Sequence, residues 1–266
     1  MLFKHMIMNH SITKRTELGV SVYGSYVFMG LLHLVLLRFF PGPFVPLSKV
    51  LLMPLLIVAV YRQTTGSEHK TTAIRMLIGA LLLSGIGDAL LTRPGESFFV
   101  AGLSSFLCAH LLYVSLFVQR HRSNTRTSPA PWVDQKSWPA ILIPLGVLYL
   151  LYPGLGAMLI PVLVYMAVIS LMWLLALSNF VRNRSSDSAH AGWGPSVLLS
   201  LGATLFVASD AVLAFEKFIA PFPGARLTVM GTYILAQLAL VRGFLSGASG
   251  SRGTSTEPGT STEPGA

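Results

Sequence analysis

Eight long apolar runs follow one another along the chain, at residues 20–40, 44–61, 72–92, 97–118, 138–153, 156–181, 195–219 and 225–245. Each approaches the ~20 residues that carry a helix across a ~30 Å hydrocarbon core, the second and fifth being the shortest. The runs are continuous rather than alternating, which argues against a membrane β-barrel. Prolines 41, 43, 94, 153, 221 and 223 punctuate the intervals, as turn residues do. The pattern predicts an all-α polytopic membrane bundle of eight transmembrane helices, with residues 1–245 as one domain. Residues 246–266 differ: GTSTEP occurs twice and nothing large and apolar follows Leu245. Such a segment cannot bury a core and is expected to be a disordered tail of linker character. Residues 1–19 contain Lys4, Lys14, Arg15 and Glu17. They hold no apolar stretch before a small-residue cleavage site, so no cleavable leader is expected.

Composition agrees with the pattern. Of the 266 residues 53% are hydrophobic and 11% charged, with mean hydropathy +0.65, whereas a soluble domain carries about 25% charged residues. The formal charge of +9 is explained by topology and calls for no nucleic-acid partner. With an even number of spans and a cytoplasmic N-terminus, fourteen of the 19 Lys and Arg residues fall on the cytoplasmic side. Only Arg38, Arg93, Lys217 and Arg226 fall outside, and Lys49 lies just within the second span. The positive-inside rule therefore predicts that both termini are cytoplasmic. Cys108 is the single cysteine, so no intramolecular disulfide can form.

Two aspartates interrupt this apolar background. Asp88 lies in LLLSGIGDALL (81–91) and Asp210 in LGATLFVASDAVLAF (201–215). An ionisable residue at membrane depth costs roughly 2.5–3.5 kcal/mol on insertion scales and marks a functional site by default. Each aspartate opens a hairpin that reaches a tyrosine in the following span, Asp88 to Tyr113 and Asp210 to Tyr233. This gives a 4+4 parallel pseudo-repeat of the kind some transporters show; chance similarity between apolar segments is the alternative. Lys49, His110, Tyr233 and Gln237 fall at depths from which they could line one cavity with the aspartates. Tyr233 and Gln237 share a helix face at i, i+4, and His110 and Tyr113 do so at i, i+3. Blander roles compete: Lys49 as a snorkelling cation, His110 as a core histidine, Tyr233 and Gln237 as interhelical glue. Glu216 and Lys217 read as solvated boundary residues, His33 as a core residue, and Tyr165 and Trp173 as packing aromatics. There is no G-x-S-x-G, P-loop, H-E-x-x-H or C-x-x-C, so neither a metal nor another cofactor is expected.

SKVLLMP (48–54), LSGIGDALL (83–91), LCAHLLYVSLF (107–117), PVLVYMAVISLMW (161–173), ATLFVASDAVLAFEKF (203–218) and ARLTVMGTYILAQLAL (225–240) occur in order. Together they resemble the lysoplasmalogenase (YhhN-like) family of membrane hydrolases. The resemblance implies eight transmembrane helices and hydrolysis of the vinyl-ether bond of lysoplasmalogens. The products would be a fatty aldehyde and glycerophosphocholine or glycerophosphoethanolamine. It carries catalytic roles onto Asp88 and Asp210, and substrate-binding or supporting roles onto Lys49, His110, Tyr113, Tyr233 and Gln237. Glu216 departs from the small polar residue expected there. The partners implied are a lysophospholipid and the bilayer. The membrane would be the endoplasmic reticulum in a eukaryote or the inner membrane in a bacterium. Cleaving a vinyl ether needs an acid and a carboxylate that stabilises an oxocarbenium-like cation, as in glycosidases. Two rivals stay open: a proton- or cation-coupled transporter, and a ceramidase-like lipid hydrolase, which would need metal ligands.

Overall fold

The computed structural model describes residues 22–64, 72–124, 135–187 and 193–249. The basic residues at 4, 14, 15, 70, 126 and 252, and the tail beyond 249, lie outside the described residues. Among the described residues there is no strand. The α-helices are α1 (Val22–Phe39), α2 (Phe44–Thr64), α3 (Thr72–Leu91), α4 (Glu96–Asn124), α5 (Pro139–Leu155), α6 (Leu159–Asp187), α7 (Pro195–Phe218) and α8 (Ala225–Ser249). α8 therefore runs past Leu245, where the apolar pattern stops.

Seven helical stretches are long and apolar enough to cross a membrane. One of them, Pro139–Arg182, is 44 residues long. It would span roughly 66 Å at 1.5 Å per residue, about twice a bilayer core, if it were straight. It is not straight. Gly156 has φ 48°, a left-handed conformation that favours glycine, and a 3-10 turn (Gly156–Met158) follows it. The chain folds back there, and α5 packs against α6 around Leu151, Leu155 and Val162. Pro139 and Pro195 open α5 and α7 at positions whose amide has no helical acceptor in any case. Gly224, with φ 86°, closes the turn that leads into α8.

The closest helix pairs are α3 with α4 and α7 with α8. Small residues permit this. A Cβ on Gly202 would stand 2.9 Å from the Leu240 amide nitrogen and 3.0 Å from the Ala236 carbonyl oxygen. A Cβ on Gly87 would stand 2.6 Å from the Phe106 ring. Such approach gains van der Waals contact where lipid supplies no hydrophobic drive. The outer faces carry exposed Phe28, Leu142, Tyr149 and Ile160, as a lipid-facing surface requires. The polar side chains turn inward instead: His33, Ser48, Ser84, Asp88, His110 and Gln237 are all buried.

Candidate active site

Asp88 sits in the last turn of α3 and is almost wholly buried. Lys49 of α2 places Nζ 3.2 Å from Asp88 Oδ1. Tyr233 of α8 donates its hydroxyl proton to Asp88 Oδ2 at 2.8 Å. Behind these contacts lies a second layer. Gln237 Nε2 donates to Ser84 Oγ at 3.2 Å and to Tyr233 Oη at 3.3 Å. Tyr113 of α4 donates to Gln237 Oε1 at 2.7 Å. Five side chains from α3, α4 and α8 thus satisfy one another in an apolar bundle, where an unpaired polar group is costly.

Asp210 of α7 has a different set of partners. Tyr165 of α6 donates its hydroxyl proton to Asp210 Oδ2. His110 Nε2 of α4 lies 3.0 Å from Tyr165 Oη and 3.6 Å from Asp210 Oδ2. Since the Tyr165 proton goes to the carboxylate, its oxygen accepts from His110 Nε2–H. Phe206 joins the two clusters, lying edge-on to His110 at 4.6 Å and to Tyr233 at 5.4 Å between ring centroids.

Both aspartates line one cavity of about 620 Å³. It lies at the end of the bundle where the α3–α4 and α7–α8 turns meet, since Arg93, Pro94, Gly95 and Pro221 also line it. Four cations face it, Lys49, Arg93, Lys217 and Arg226, along with a third carboxylate, Glu216. Glu216 pairs with Arg226 at 3.5 Å, and Arg226 is exposed, so water screens that pair. Lys217 Nζ lies 5.0 Å above the Phe99 ring. Asp210 also borders a second pocket of about 200 Å³, walled by apolar side chains of α4–α7 and reaching Trp173 and Thr204. Trp173 Nε1 donates to Thr204 Oγ1 at 2.8 Å, which satisfies the indole at that end.

Every candidate residue from the sequence lies in these two clusters. Tyr113 reaches neither aspartate. Asp88 is served by the tyrosine of the other hairpin, Tyr233, and Asp210 by Tyr165. The sequence reading missed Tyr165 because a tyrosine in an apolar span resembles any packing aromatic. It also missed His33 of α1, which lines the cavity beside Lys49. Glu216 and Lys217 stand on the cavity rim, where Lys217 is exposed as a solvated boundary residue is and Glu216 is half-buried. Among the described residues, no three His, Cys, Asp or Glu side chains stand close enough to hold a metal ion.

The chain is 33% identical to lysoplasmalogenase TMEM86A of Bos taurus over 172 residues, 64% of each chain. It is 34% identical to lysoplasmalogenase TMEM86B of Homo sapiens over 168 residues, 62% of each chain. It is 30% identical to the lysoplasmalogenase of Mycobacterium tuberculosis over 207 residues, 76% of this chain and 70% of that one. The match thus spans less than two thirds of the two mammalian proteins. No solved structure matches the chain. The YhhN family model matches residues 44–244. That range takes in Lys49, Asp88, His110, Tyr165, Asp210 and Tyr233 in one stretch, and the chain belongs to the YhhN family.

Proposed function

We propose that this protein hydrolyses the vinyl-ether bond of lysoplasmalogens, releasing a fatty aldehyde and a glycerophospho-base. One observation carries the reading: two carboxylates line a single cavity together with four cations, and one of them also borders an apolar pocket. An amphiphile with a charged head, a polar bond and one aliphatic tail suits such a site. The names of the relatives point the same way.

In this reading Asp210 is the acid. It stands at the mouth of the apolar pocket, where the alkene would lie, and transfers a proton to the distal alkene carbon. The adjacent carbon becomes an oxocarbenium-like cation. Asp88 is the anionic partner, because Lys49 supplies its counter-charge at 3.2 Å. It stabilises the cation and takes a proton from the water that adds to that carbon. The hemiacetal then collapses to the aldehyde, and the glycerol oxygen leaves as a hydroxyl. Two carboxylates in unlike surroundings divide the acid and base roles, as in glycosidases.

The same reading has eight passes, with both termini cytoplasmic and α5 and α6 counted separately across the Gly156 turn. The α3–α4 and α7–α8 hairpins form the pseudo-repeat. The cavity then opens on the non-cytoplasmic face, and the phosphate meets the rim cations. The deciding experiment measures aldehyde release from lysoplasmalogen by purified full-length protein, with and without chelator, alongside Asp88→Asn and Asp210→Asn. General acid–base groups contribute about 10²–10⁴-fold, so each variant is expected to lose at least 100-fold while eluting as folded protein. Full activity in either variant overturns the paired-carboxylate mechanism. Metal-dependent fatty-acid release, or substrate uptake into proteoliposomes without product, overturns the activity itself.

A further inference from the structure

His33 belongs to α1, which precedes the stretch matched by the family model. Its side chain is 1% exposed and lines the 620 Å³ cavity. Ser48, one residue before Lys49, holds the ring: Ser48 Oγ lies 2.8 Å from His33 Nδ1. The Ser48 hydroxyl has a single proton, and it is donated to the Val45 carbonyl at 3.0 Å. Ser48 Oγ must therefore accept from Nδ1–H. In the neutral ring this leaves Nε2 as a bare acceptor. Nε2 is buried and has no partner in the protein. A buried acceptor without a donor is unfavourable, so on a residue that lines the cavity it calls for a donor from the ligand, met by a small turn of the ring toward the cavity.

We propose that His33 Nε2 accepts a hydrogen bond from the free sn-2 hydroxyl of the lysolipid and thereby selects substrates that carry it. This rests on the proposed function. The sn-2 carbon lies between the vinyl-ether arm and the phosphate arm of the glycerol. His33 lines the cavity that Asp88 and Asp210 share with the cations proposed to meet the phosphate. Its holder, Ser48, is next to Lys49, which pairs with Asp88 on the reacting side, and Arg93 and Lys217 stand on the rim of the same cavity. An sn-2 ester offers no proton to Nε2. A site built to bind a hydroxyl rejects an analogue without one, because its own polar atom is then left unpaired.

The test compares a lysoplasmalogen with its 2-deoxy analogue, in choline and ethanolamine forms, on full-length protein. The readout is the ratio of kcat/KM values within each variant, which is independent of the fraction of active protein. Wild type is expected to favour the hydroxyl substrate by about 10- to 100-fold. In His33→Phe the preference disappears, through loss on the hydroxyl substrate alone. His33→Gln keeps an amide donor for Ser48 and a carbonyl acceptor, and retains part of the preference. Ser48→Ala leaves α1 unaltered but frees the ring to carry its proton on either nitrogen, so the preference falls. It decides the matter should the His33 variants fail to fold. Equal losses on both substrates, or no loss on either, overturn the proposal. A loss confined to ethanolamine substrates also overturns it, because the donor is then the headgroup ammonium. If wild type releases no aldehyde from any lysolipid, the proposed function fails first. If wild type turns over the deoxy analogue equally well, only the assignment to His33 fails.

Discussion

Replacing Tyr165 with Phe removes one oxygen from the Asp210 cluster and little else. The side chain is 7% exposed and the ring keeps its packing, so volume changes hardly at all. Two hydrogen bonds go with that oxygen: the one donated to Asp210 Oδ2 and the one accepted from His110 Nε2. In the proposed mechanism Asp210 becomes anionic as it gives up its proton, and a hydrogen bond to a charged group is worth about 1.5–3 kcal/mol net. The loss at His110 is offset in part, since its Nε2 lies 3.6 Å from Asp210 Oδ2 and a small rotation would join them directly. The remaining effect, in the proposed mechanism, is the freedom gained by an acid that has to meet an alkene carbon in one orientation. At 1.36 kcal/mol per tenfold, the expected fall in kcat/KM is about 10- to 150-fold. Most of it should appear in kcat, because in the proposed mechanism Tyr165 acts on the proton-donating group rather than on the lipid. The assay is aldehyde formation from lysoplasmalogen in detergent, with thermal unfolding followed in parallel. His110→Phe should cost a similar factor. The double variant should cost much less than the product of the two, because both act through Asp210. A Tyr165→Phe enzyme within threefold of wild type, or one that combines multiplicatively with His110→Phe, would refute the linkage from His110 through Tyr165 to Asp210.

Lys49→Met leaves buried Asp88 without its cation, a change that costs about 3–5 kcal/mol when a buried pair is broken. Both kcat and the melting temperature should fall; a raised KM with normal kcat would assign Lys49 to the phosphate alone. Trp173→Ala opens the far end of the apolar pocket, two turns from Tyr165 on α6 and about 12 Å away at 1.5 Å per residue. Longer alkenyl chains should then gain up to about fourfold in kcat/KM for each further buried methylene, and an unchanged chain-length profile would count against a tail in that pocket. In a Cys108→Ala background, single cysteines at Ser97 and Ser128 should label from opposite faces of the membrane. Labelling from the same face would end the eight-pass topology.

The helices were legible in the chain because the bilayer makes hydrophobic length nearly sufficient to define a span. Even the Gly156 turn was foreshadowed, since the apolar pattern divides between 153 and 156. Asp88 and Asp210 stood out for the same reason: a charge in an apolar run has no cheap explanation. Their partners were harder to read. The sequence placed the candidate residues at depths from which they could line one cavity, without partners for either acid, whereas the bundle gives Tyr233 to Asp88 and Tyr165 to Asp210. A tyrosine costs little in a membrane span, so nothing in the sequence separates one that packs from one that donates to a carboxylate.

The chain by itself determined the apolar segments, the family, and the presence of two acids that need partners. Tertiary structure alone decided which side chains those partners are. It also gave the acids unlike surroundings, a lysine beside Asp88 and a tyrosine–histidine pair beside Asp210. It brought His33 of α1 to the cavity wall with one nitrogen already committed to Ser48. The physical reason is one of range. Transfer into a bilayer acts on each segment through its own composition, so it can be read locally. A hydrogen bond depends on the approach of two atoms to about 3 Å, and between helices that distance is set by how small residues such as Gly87 and Gly202 let the backbones meet.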